Sequence, residues 1–310
     1  MESTNSELPF PSGWFVIAFS KELKKGKVLP CTLMGQELVL FRTKEGIASA
    51  LDAYCPHLGA HLGHGGKVVA GCIRCPFHHL KFGTDGQCLD HKHIKAKTWP
   101  LEERDGLIFV YHGNPEKKHE LPHLAKDGWN PYKKFSLKLK SHPQEVAENS
   151  VDTTHFQALH GMPLTTINVV SSDTYTFTTQ IYYPKNQPLM RKWVMTPGAR
   201  SHLVGLGYFL ITLDYPVIGI ASSALLATTP IDTHYSMLRV MFFTKLTPPS
   251  LLKKLLSFLT IWRLFYLVAR RTIRQDVRIW NYKRHLRHPI LTPNDGPIQA
   301  FRKWAQRFYE

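Results

Sequence analysis

No stretch of this 310-residue sequence is apolar for long enough to cross a membrane as a helix. The most apolar segment, 251–269, is interrupted by Lys253, Lys254 and Arg263, whereas a span needs ~20 uninterrupted residues. The N-terminus, Met1-Glu2-Ser3-Thr4, has no basic region followed by an apolar run, so no secretory signal is expected. Cysteine is scarce, and its count of five is odd. Together these absences predict a reducing, cytoplasmic setting in which clustered Cys and His serve metals rather than disulfides. No Gly-rich loop follows a strand, so neither nicotinamide nor flavin is expected to bind this polypeptide. No nucleic-acid module pattern occurs, and there is no internal repeat or low-complexity tract. Acidic residues are the minority charge, 23 against 39 Lys and Arg, which leaves a net +16.

With 43% hydrophobic and 12% aromatic residues, the chain can build one large core or two smaller ones. Much of the positive charge gathers at Arg270, Arg271, Arg274, Arg278, Lys283, Arg284 and Arg287. Such a face fits an anionic membrane surface or an acidic electron-donor protein, or is simply solvated. The 251–269 segment reads as an amphipathic helix with Thr247 as N-cap and Pro248 in its first turn. Leu251, Leu255, Phe258, Trp262, Phe265 and Ala269 recur there at helical spacing. That stripe packs on the protein's own core or makes peripheral contact with a membrane.

The sequence changes character part-way along. Trp14–Ala18, Glu37–Phe41, Ile47–Ala53 and Leu107–His112 are β-like runs, with turns at Gly65-Gly66, Asp85-Gly86 and Asp105-Gly106. They predict a small all-β domain over 1–118, closed by the polar Pro115-Glu116-Lys117-Lys118. Beyond it, 145–159 reads as one helix ending at Gly161 and Pro163. Strands are predicted at Tyr175–Tyr183, Lys192–Thr196, Tyr208–Tyr215, Ile218–Ala227 and Tyr235–Thr244, then basic helices around 249–285 and 297–309. Residues 119–310 therefore read as an antiparallel sheet with helices against it, and the whole chain as α+β.

Between residues 55 and 79 the sequence holds Cys55-Pro56-His57 and, after seventeen intervening residues, Cys75-Pro76-Phe77-His78-His79. Cys-x-His followed by Cys-x-x-His is the ligand pattern of a Rieske [2Fe-2S] centre, with Cys55 and Cys75 on one iron and His57 and His78 on the other. Exchanging two anionic thiolates for neutral imidazoles raises the reduction potential above that of an all-cysteine cluster. The competing reading is a Cys3His zinc site using Cys72 of the CxxC pair with His61, His64 or another nearby histidine. Cys31 and Cys88 read as small buried residues.

Downstream stands Asn149-Ser150-Val151-Asp152-Thr153-Thr154-His155-Phe156-Gln157-Ala158-Leu159-His160. Two histidines and a carboxylate make the facial triad of oxygen-activating ferrous iron, although two histidines on a helix are by themselves ordinary surface or packing residues. On a regular helix His155 and His160 are ~140° apart, so sharing a metal requires the helix to distort between them or to end there.

The paired Rieske motif and the spacing Asn-x-x-Asp-x-x-His-x-x-x-x-His resemble the Rieske non-heme iron oxygenases, over nearly the whole chain. The resemblance implies a helix-grip-like catalytic domain, with His155 and His160 as ligands of a mononuclear Fe(II). It also implies Asp152 as a carboxylate bridge toward a neighbouring subunit's cluster, with a hydrogen bond to an iron-bound His of its own chain, and Asn149 near the metal. Similar oxygenases carry their third ligand in a Gln-Asp-x-x-Ile-Trp context, matched here by Gln275-Asp276-Val277-Arg278-Ile279-Trp280. Asp276 is therefore the expected third ligand, with Glu145 and Glu148 as alternatives, or else an Asp that merely offsets neighbouring arginines. One departure is plain: the family has Gly and then an aromatic after the second cluster His, and this sequence has His79 and Leu80.

By the same resemblance, NAD(P)H-derived electrons reach the cluster from a separate reductase or ferredoxin, O2 is co-substrate, and the assembly is a homotrimer. Within the family the chain looks most similar to steroid 9-alpha-hydroxylase oxygenase components and cholesterol-desaturating enzymes. That likeness rests on the Gln275–Trp280 segment and on Thr229-Pro230-Ile231-Asp232. No counterpart of the animal desaturases' N-terminal membrane helix is read here. The expected substrate is a hydrophobic small molecule, a sterol or steroid first and a chlorophyll-type or other polycyclic compound second. The competing functions are a Rieske electron carrier with a degenerate second domain and a zinc-stabilised binding module.

Overall fold

Short apolar alternations between turns give the first part of the chain ten strands. They are β1 (Gly13–Phe19), β2 (Val28–Leu33), β3 (Gln36–Arg42), β4 (Ala48–Asp52), β5 (Lys67–Val69), β6 (Cys72–Arg74), β7 (Lys81–Phe82), β8 (Thr98–Trp99), β9 (Leu101–Arg104) and β10 (Leu107–His112). The computed structural model describes residues 8–123, 128–162, 166–183, 198–215, 219–246 and 262–309. The chain divides into two compact units, one of Ser12–His123 with Thr229–Thr233, the other of Met1–Pro11, Leu124–Thr228 and His234–Glu310.

The first unit holds three small antiparallel sheets, ordered β1-β10-β9, β2-β3-β4-β8 and β5-β6-β7. Val39, Phe41, Leu51, Leu62, Ile73 and Phe82 form a core that takes in the side chains of Cys55 and Cys75. Arg42 donates to both carboxylate oxygens of Glu103 at 2.6 and 3.0 Å, a bidentate pair that joins β3 to β9.

The second unit is built on a seven-stranded antiparallel sheet. Its strands are β11 (Asn130–Leu139), β12 (Thr166–Ser172), β13 (Thr176–Tyr182), β14 (Gly198–Val204), β15 (Tyr208–Tyr215), β16 (Ile220–Pro230) and β17 (Ser236–Leu246), in the order β11-β17-β16-β15-β14-β13-β12. Alternation puts Phe177, Thr179 and Ile181 of β13 on one buried face, with Tyr182 exposed on the other. Among the described residues four helices accompany the sheet: α1 (Pro143–Glu148), α2 (Thr153–His160), α3 (Trp262–Trp280) and α4 (Ile298–Ala305). Ile298, Phe301 and Trp304 recur on the buried side of α4 and join Phe177, Leu203, Phe209, Val240, Phe242 and Trp280 in the core. Each large side chain so buried contributes about 1.5–3 kcal/mol.

The helix expected over 145–159 is two helices. Asp152 has extended backbone (φ −84°, ψ 106°), and its carboxylate accepts the His155 N–H at 3.2 Å, so a new helix starts there. Gly161 ends that helix in the left-handed region (φ 63°), with its own N–H on Gln157 O and the Met162 N–H on Phe156 O. Nine of the described strands escaped the sequence reading, five of them the short β5 to β9. β2 carries Pro and Cys, β11 is a lysine-bearing edge strand, β12 is the other edge, and β14 is held by pairing with β13 and β15 rather than by its composition. The expected strand at 192–196, the Thr247 cap with Pro248 and the first part of the 251–269 stripe lie outside the described residues.

Candidate metal centres

In the first unit two loops of the same design face each other. Each begins at a cysteine whose N–H bonds the carbonyl five residues on: Cys55 to Ala60 O at 2.9 Å, and Cys75 to Leu80 O at 2.8 Å. The cysteines are buried at the loop bases, while His57 and His78 are exposed at the tips with ring centroids 4.9 Å apart. Burial pushes the Cys55 thiol up, as does nearby Cys75, while the main-chain N–H groups of His57 and Leu58 aim at its sulfur and pull the other way. The donors thus form a sulfur pair inside and a nitrogen pair outside, with N–H groups turned inward. This arrangement fits a two-iron cluster. It does not fit one tetrahedral zinc: among the described residues, the group of three or more donors gathered closely enough for a single ion is a different one. Cys72 lies at the start of β6, with Lys81, Asp85 and Asp90 as its charged neighbours, and His61 Nδ1 accepts the Gly63 N–H at 3.0 Å. Cys88 is buried and Cys31 half-buried.

That other group is His155, His160 and Asp276, whose donor atoms all lie within 4.8 Å of one another. The helix does not break between the two histidines: α2 is regular, His155 stands in its first turn and His160 is its last residue, so it is the side-chain conformations that bring the rings together. The rings come within 5.2 Å, nearly perpendicular at 82°. Asp276 belongs to the buried side of α3 with Ile273 and Trp280, while Arg271, Arg274 and Arg278 face solvent. A carboxylate on the core side of an amphipathic helix needs a partner. Its Oδ1 lies 3.2 Å from His160 Nε2 and accepts from Asn149 Nδ2 at 3.4 Å. Burial holds His155 below the ordinary imidazole value, in the neutral form that binds metals. Burial also opposes protonation of His160, but the contact with Asp276 outweighs it and raises that group. Two imidazoles and a carboxylate in this geometry fit a ferrous ion.

Glu145 and Glu148 are engaged elsewhere. Arg302 grips Glu148 through Nε at 2.6 Å and Nη2 at 3.0 Å, Lys283 Nζ lies 2.8 Å from Glu145 and 3.2 Å from Glu148, and His285 Nδ1 lies 2.7 Å from Glu145. This network fastens α1 to α4 and to the segment that follows α3. Asp152 differs in one respect from the expected bridge. Its carboxylate caps α2 and accepts from Thr154 Oγ1 at 3.0 Å, and it is its main-chain carbonyl that meets His155 Nδ1, at 2.7 Å. The loop at 292–296 also meets this helix start. Thr154 Oγ1 is 3.3 Å from Asp295 Oδ1, and a Cβ on Gly296 (φ 77°) would fall 2.5 Å from Val151 O. The sequence reading gave no role to Asp295-Gly296; a turn-forming dipeptide just before α4 is its only mark.

Known proteins bear on both centres. Residues 13–100 match the Rieske [2Fe-2S] domain, and residues 110–309 match the 3-ketosteroid 9alpha-hydroxylase C-terminal domain. Cholesterol 7-desaturase nvd of Drosophila melanogaster is 30% identical over 334 residues, covering 97% of this chain and 75% of the relative. The oxygenase component of 3-ketosteroid-9-alpha-monooxygenase of Rhodococcus rhodochrous is 28% identical, covering 97% and 81%. Dicamba monooxygenase bound to dicamba shares the fold at TM-score 0.72 and 20% identity, covering 96% of each chain. This chain therefore belongs to the Rieske oxygenases of the 3-ketosteroid 9alpha-hydroxylase type, oxidoreductases that pair a Rieske [2Fe-2S] cluster with a mononuclear iron, use O2 and draw electrons from a separate reductase or ferredoxin.

Proposed function

We propose that the chain is a terminal oxygenase that hydroxylates or desaturates a sterol or steroid. The observation that carries this is the run of relatives named for cholesterol or a 3-ketosteroid, matched over 97% of the chain at 28–31% identity. Cys55 and Cys75 bind one cluster iron and His57 and His78 the other, while His155, His160 and Asp276 hold the mononuclear iron. When bound, these centres supply stored electrons and O2 activation. Residues 1–118 act as the Rieske domain and 119–310 as the catalytic domain.

The chain's own groups do the rest. The exposed imidazoles of His57 and His78 offer the edge by which electrons enter and leave, while the buried thiolates are kept from water. Asn149 restrains the Asp276 carboxylate. The apolar face of the sheet beside α2, with Phe156, Ile167, Ile181 and Ala199, excludes water and suits a polycyclic substrate. Asp152 joins its helix to a cluster histidine of the next subunit in a head-to-tail homotrimer, a contact that closes a ring. The exposed arginines Arg271, Arg274, Arg278, Arg284 and Arg287 form the docking face for an acidic electron donor.

The test is anaerobic loading with sterols, 3-ketosteroids and chlorophyll-type compounds, followed by O2 and a surrogate reductase, with products read by mass. A product from a sterol or steroid alone is expected; turnover of only the chlorophyll-type compounds would overturn the substrate assignment. Apparent affinity for an acidic donor should also fall steeply with salt while turnover on chemically supplied electrons does not. Equal salt dependence in both would remove the donor from the arginine face.

A further inference from the structure

The two histidines of the mononuclear centre are held by different means. His155 Nδ1 meets the main-chain carbonyl of Asp152 at 2.7 Å. A carbonyl only accepts, so the proton is on Nδ1 and Nε2 keeps its lone pair. No side-chain substitution deletes that acceptor. His160 Nδ1 instead meets Gln275 Oε1 at 3.1 Å, while its Nε2 faces Asp276 Oδ1 at 3.2 Å. Consecutive residues of α3 therefore address opposite nitrogens of one imidazole, one with an amide oxygen and the other with the carboxylate. We propose that Gln275 is a positioning residue: its amide oxygen accepts the His160 Nδ1–H, fixing the tautomer and ring orientation that direct Nε2 toward the metal beside Asp276.

Chemistry supports this choice of residue. Histidine that binds a metal through one nitrogen donates through the other, and the acceptor sets both the tautomer and the basicity of the ligating nitrogen. A neutral amide orients the ring without adding a second negative charge to a site that already holds Asp276. The same ring is gripped twice from one helix turn, so a shift of α3 moves ligand and orienting group together.

This inference rests on His160 being an iron ligand, and the experiment separates the two. Gln275→Leu removes the acceptor at similar volume, Gln275→Glu keeps an acceptor oxygen at the same reach, and Gln275→Asn shortens the reach by one methylene. His160→Ala is the control for the ligand itself. With the cluster intact, affinity of the mononuclear site for Fe(II) is measured by competition with a chromophoric chelator. The absorption of the Co(II)-loaded site is recorded alongside. Gln275→Leu and Gln275→Asn are expected to weaken Fe(II) binding about 10–100-fold and to alter the Co(II) spectrum, as loss of such a partner does. Gln275→Glu should restore both, and cluster absorbance and thermal midpoint should stay at wild-type values in all three. Wild-type Fe(II) affinity in Gln275→Leu, with iron lost in His160→Ala, would overturn the role of Gln275 alone. Equal weakening in Gln275→Glu and Gln275→Leu would assign the effect to packing and equally overturn it. Retained iron in His160→Ala would overturn the ligand reading beneath it.

Discussion

The two candidate metal centres differ in how far along the chain their parts are collected. The first is assembled from two short loops within residues 55–80, each closed by its own cysteine N–H, and needs only a small β core behind it. The second draws on α2 and α3, with His160 and Gln275 115 positions apart in the sequence. It also leans on the Glu145–Lys283–His285 and Glu148–Arg302 network that ties α1 to the later segments. A local centre depends on its loops, whereas a long-range one depends on the packing of the whole unit. Perturbations of that packing should therefore reach the second centre and spare the first.

Removing ligands tests the separation most severely. His57→Ala or Cys75→Ala is expected to abolish the paramagnetic signal of the reduced Rieske cluster, because Cys72 is held in strand β6 and His61 Nδ1 is engaged by the Gly63 N–H. His155→Ala, His160→Ala and Asp276→Ala should lose mononuclear iron and turnover while the cluster absorbance survives, with Asp276→Ala retaining a weakly held fraction. Metal analysis beside the cluster spectrum reads both. Normal iron and activity in Asp276→Ala would return the third-ligand question to an unidentified carboxylate.

Asp152 stands next. Its carboxylate caps α2, so Asp152→Ala combines loss of charge with loss of a cap worth about 1 kcal/mol. Asp152→Asn separates the two effects, since Asn caps as well as Asp but carries no charge. Near-abolition of substrate-coupled cluster reoxidation is expected in both variants by stopped flow, with both metals present and a lower thermal midpoint only in Asp152→Ala. Wild-type reoxidation in Asp152→Asn would break the proposed route between subunits, as would a fully active monomer by light scattering.

The buried network supplies the intermediate effect. Arg302→Leu leaves Glu148 buried with Lys283 as its remaining counter-ion, so the cost should fall short of the ~3–5 kcal/mol of a fully uncompensated buried charge. Mononuclear iron should be lost in urea well before the cluster. Acid acts on the same place. Burial opposes ionisation of Glu145, but the His285 hydrogen bond and Lys283 overcome it and hold its carboxyl at about 2 against an ordinary 4.5. His142 caps α1 by accepting the Gln144 N–H, and burial lowers it from 6.5 to about 4. In both cases the unfolded chain binds the proton more readily, so stability falls as pH falls. The loss runs from 6.5 toward 4 for His142, and from 4.5 toward 2 for Glu145. His142→Asn, which keeps a capping side chain, should flatten the upper window of a urea-midpoint profile, and Glu145→Gln the lower. Unchanged profiles would detach these groups from the stability of the second unit.

Legibility in the sequence followed the same division. The Cys-x-His and Cys-x-x-His pairs were readable because ligand, loop and turn all lie within a few residues of one another. His155 and His160 were readable as a pair, but the break before α2 was not read, although Asp152 is a residue type that favours the start of a helix over its interior. Asp276 had a residue-level signal in its spacing from Ile273 and Trp280, which puts it on the apolar side of α3. Glu145 and Glu148 resembled ligands until Lys283, His285 and Arg302 were brought to them from more than a hundred residues away. No local pattern encodes such a meeting. The edge strands β11 and β12 were hidden for a related reason, being specified by the partner strand rather than by their own composition.

The smallest expected effect concerns the one place where the local centre departs from its family's pattern. Where the resemblance gives Gly and an aromatic after His78, this chain has His79 and Leu80. The backbone keeps the glycine geometry nonetheless: His79 sits at φ 63°, the left-handed region. Leu80 is buried in the core behind the cluster loops, taking the place of the ring. A side chain in that region costs roughly 1–2 kcal/mol, and histidine tolerates it better than most residues. Glycine would relieve the strain but lose more chain entropy on folding, so His79→Gly should stabilise the first unit by about 1 kcal/mol or less. The second unit should be unaffected, since the loop is closed by the Cys75–Leu80 bond, which the substitution leaves in place. Urea titration followed at the cluster absorbance and at the mononuclear iron reads the two units separately. A lower midpoint for the cluster would mean that the His79 ring itself holds the loop, and a shift in the iron midpoint would mean that the two centres are not as independent as their construction implies.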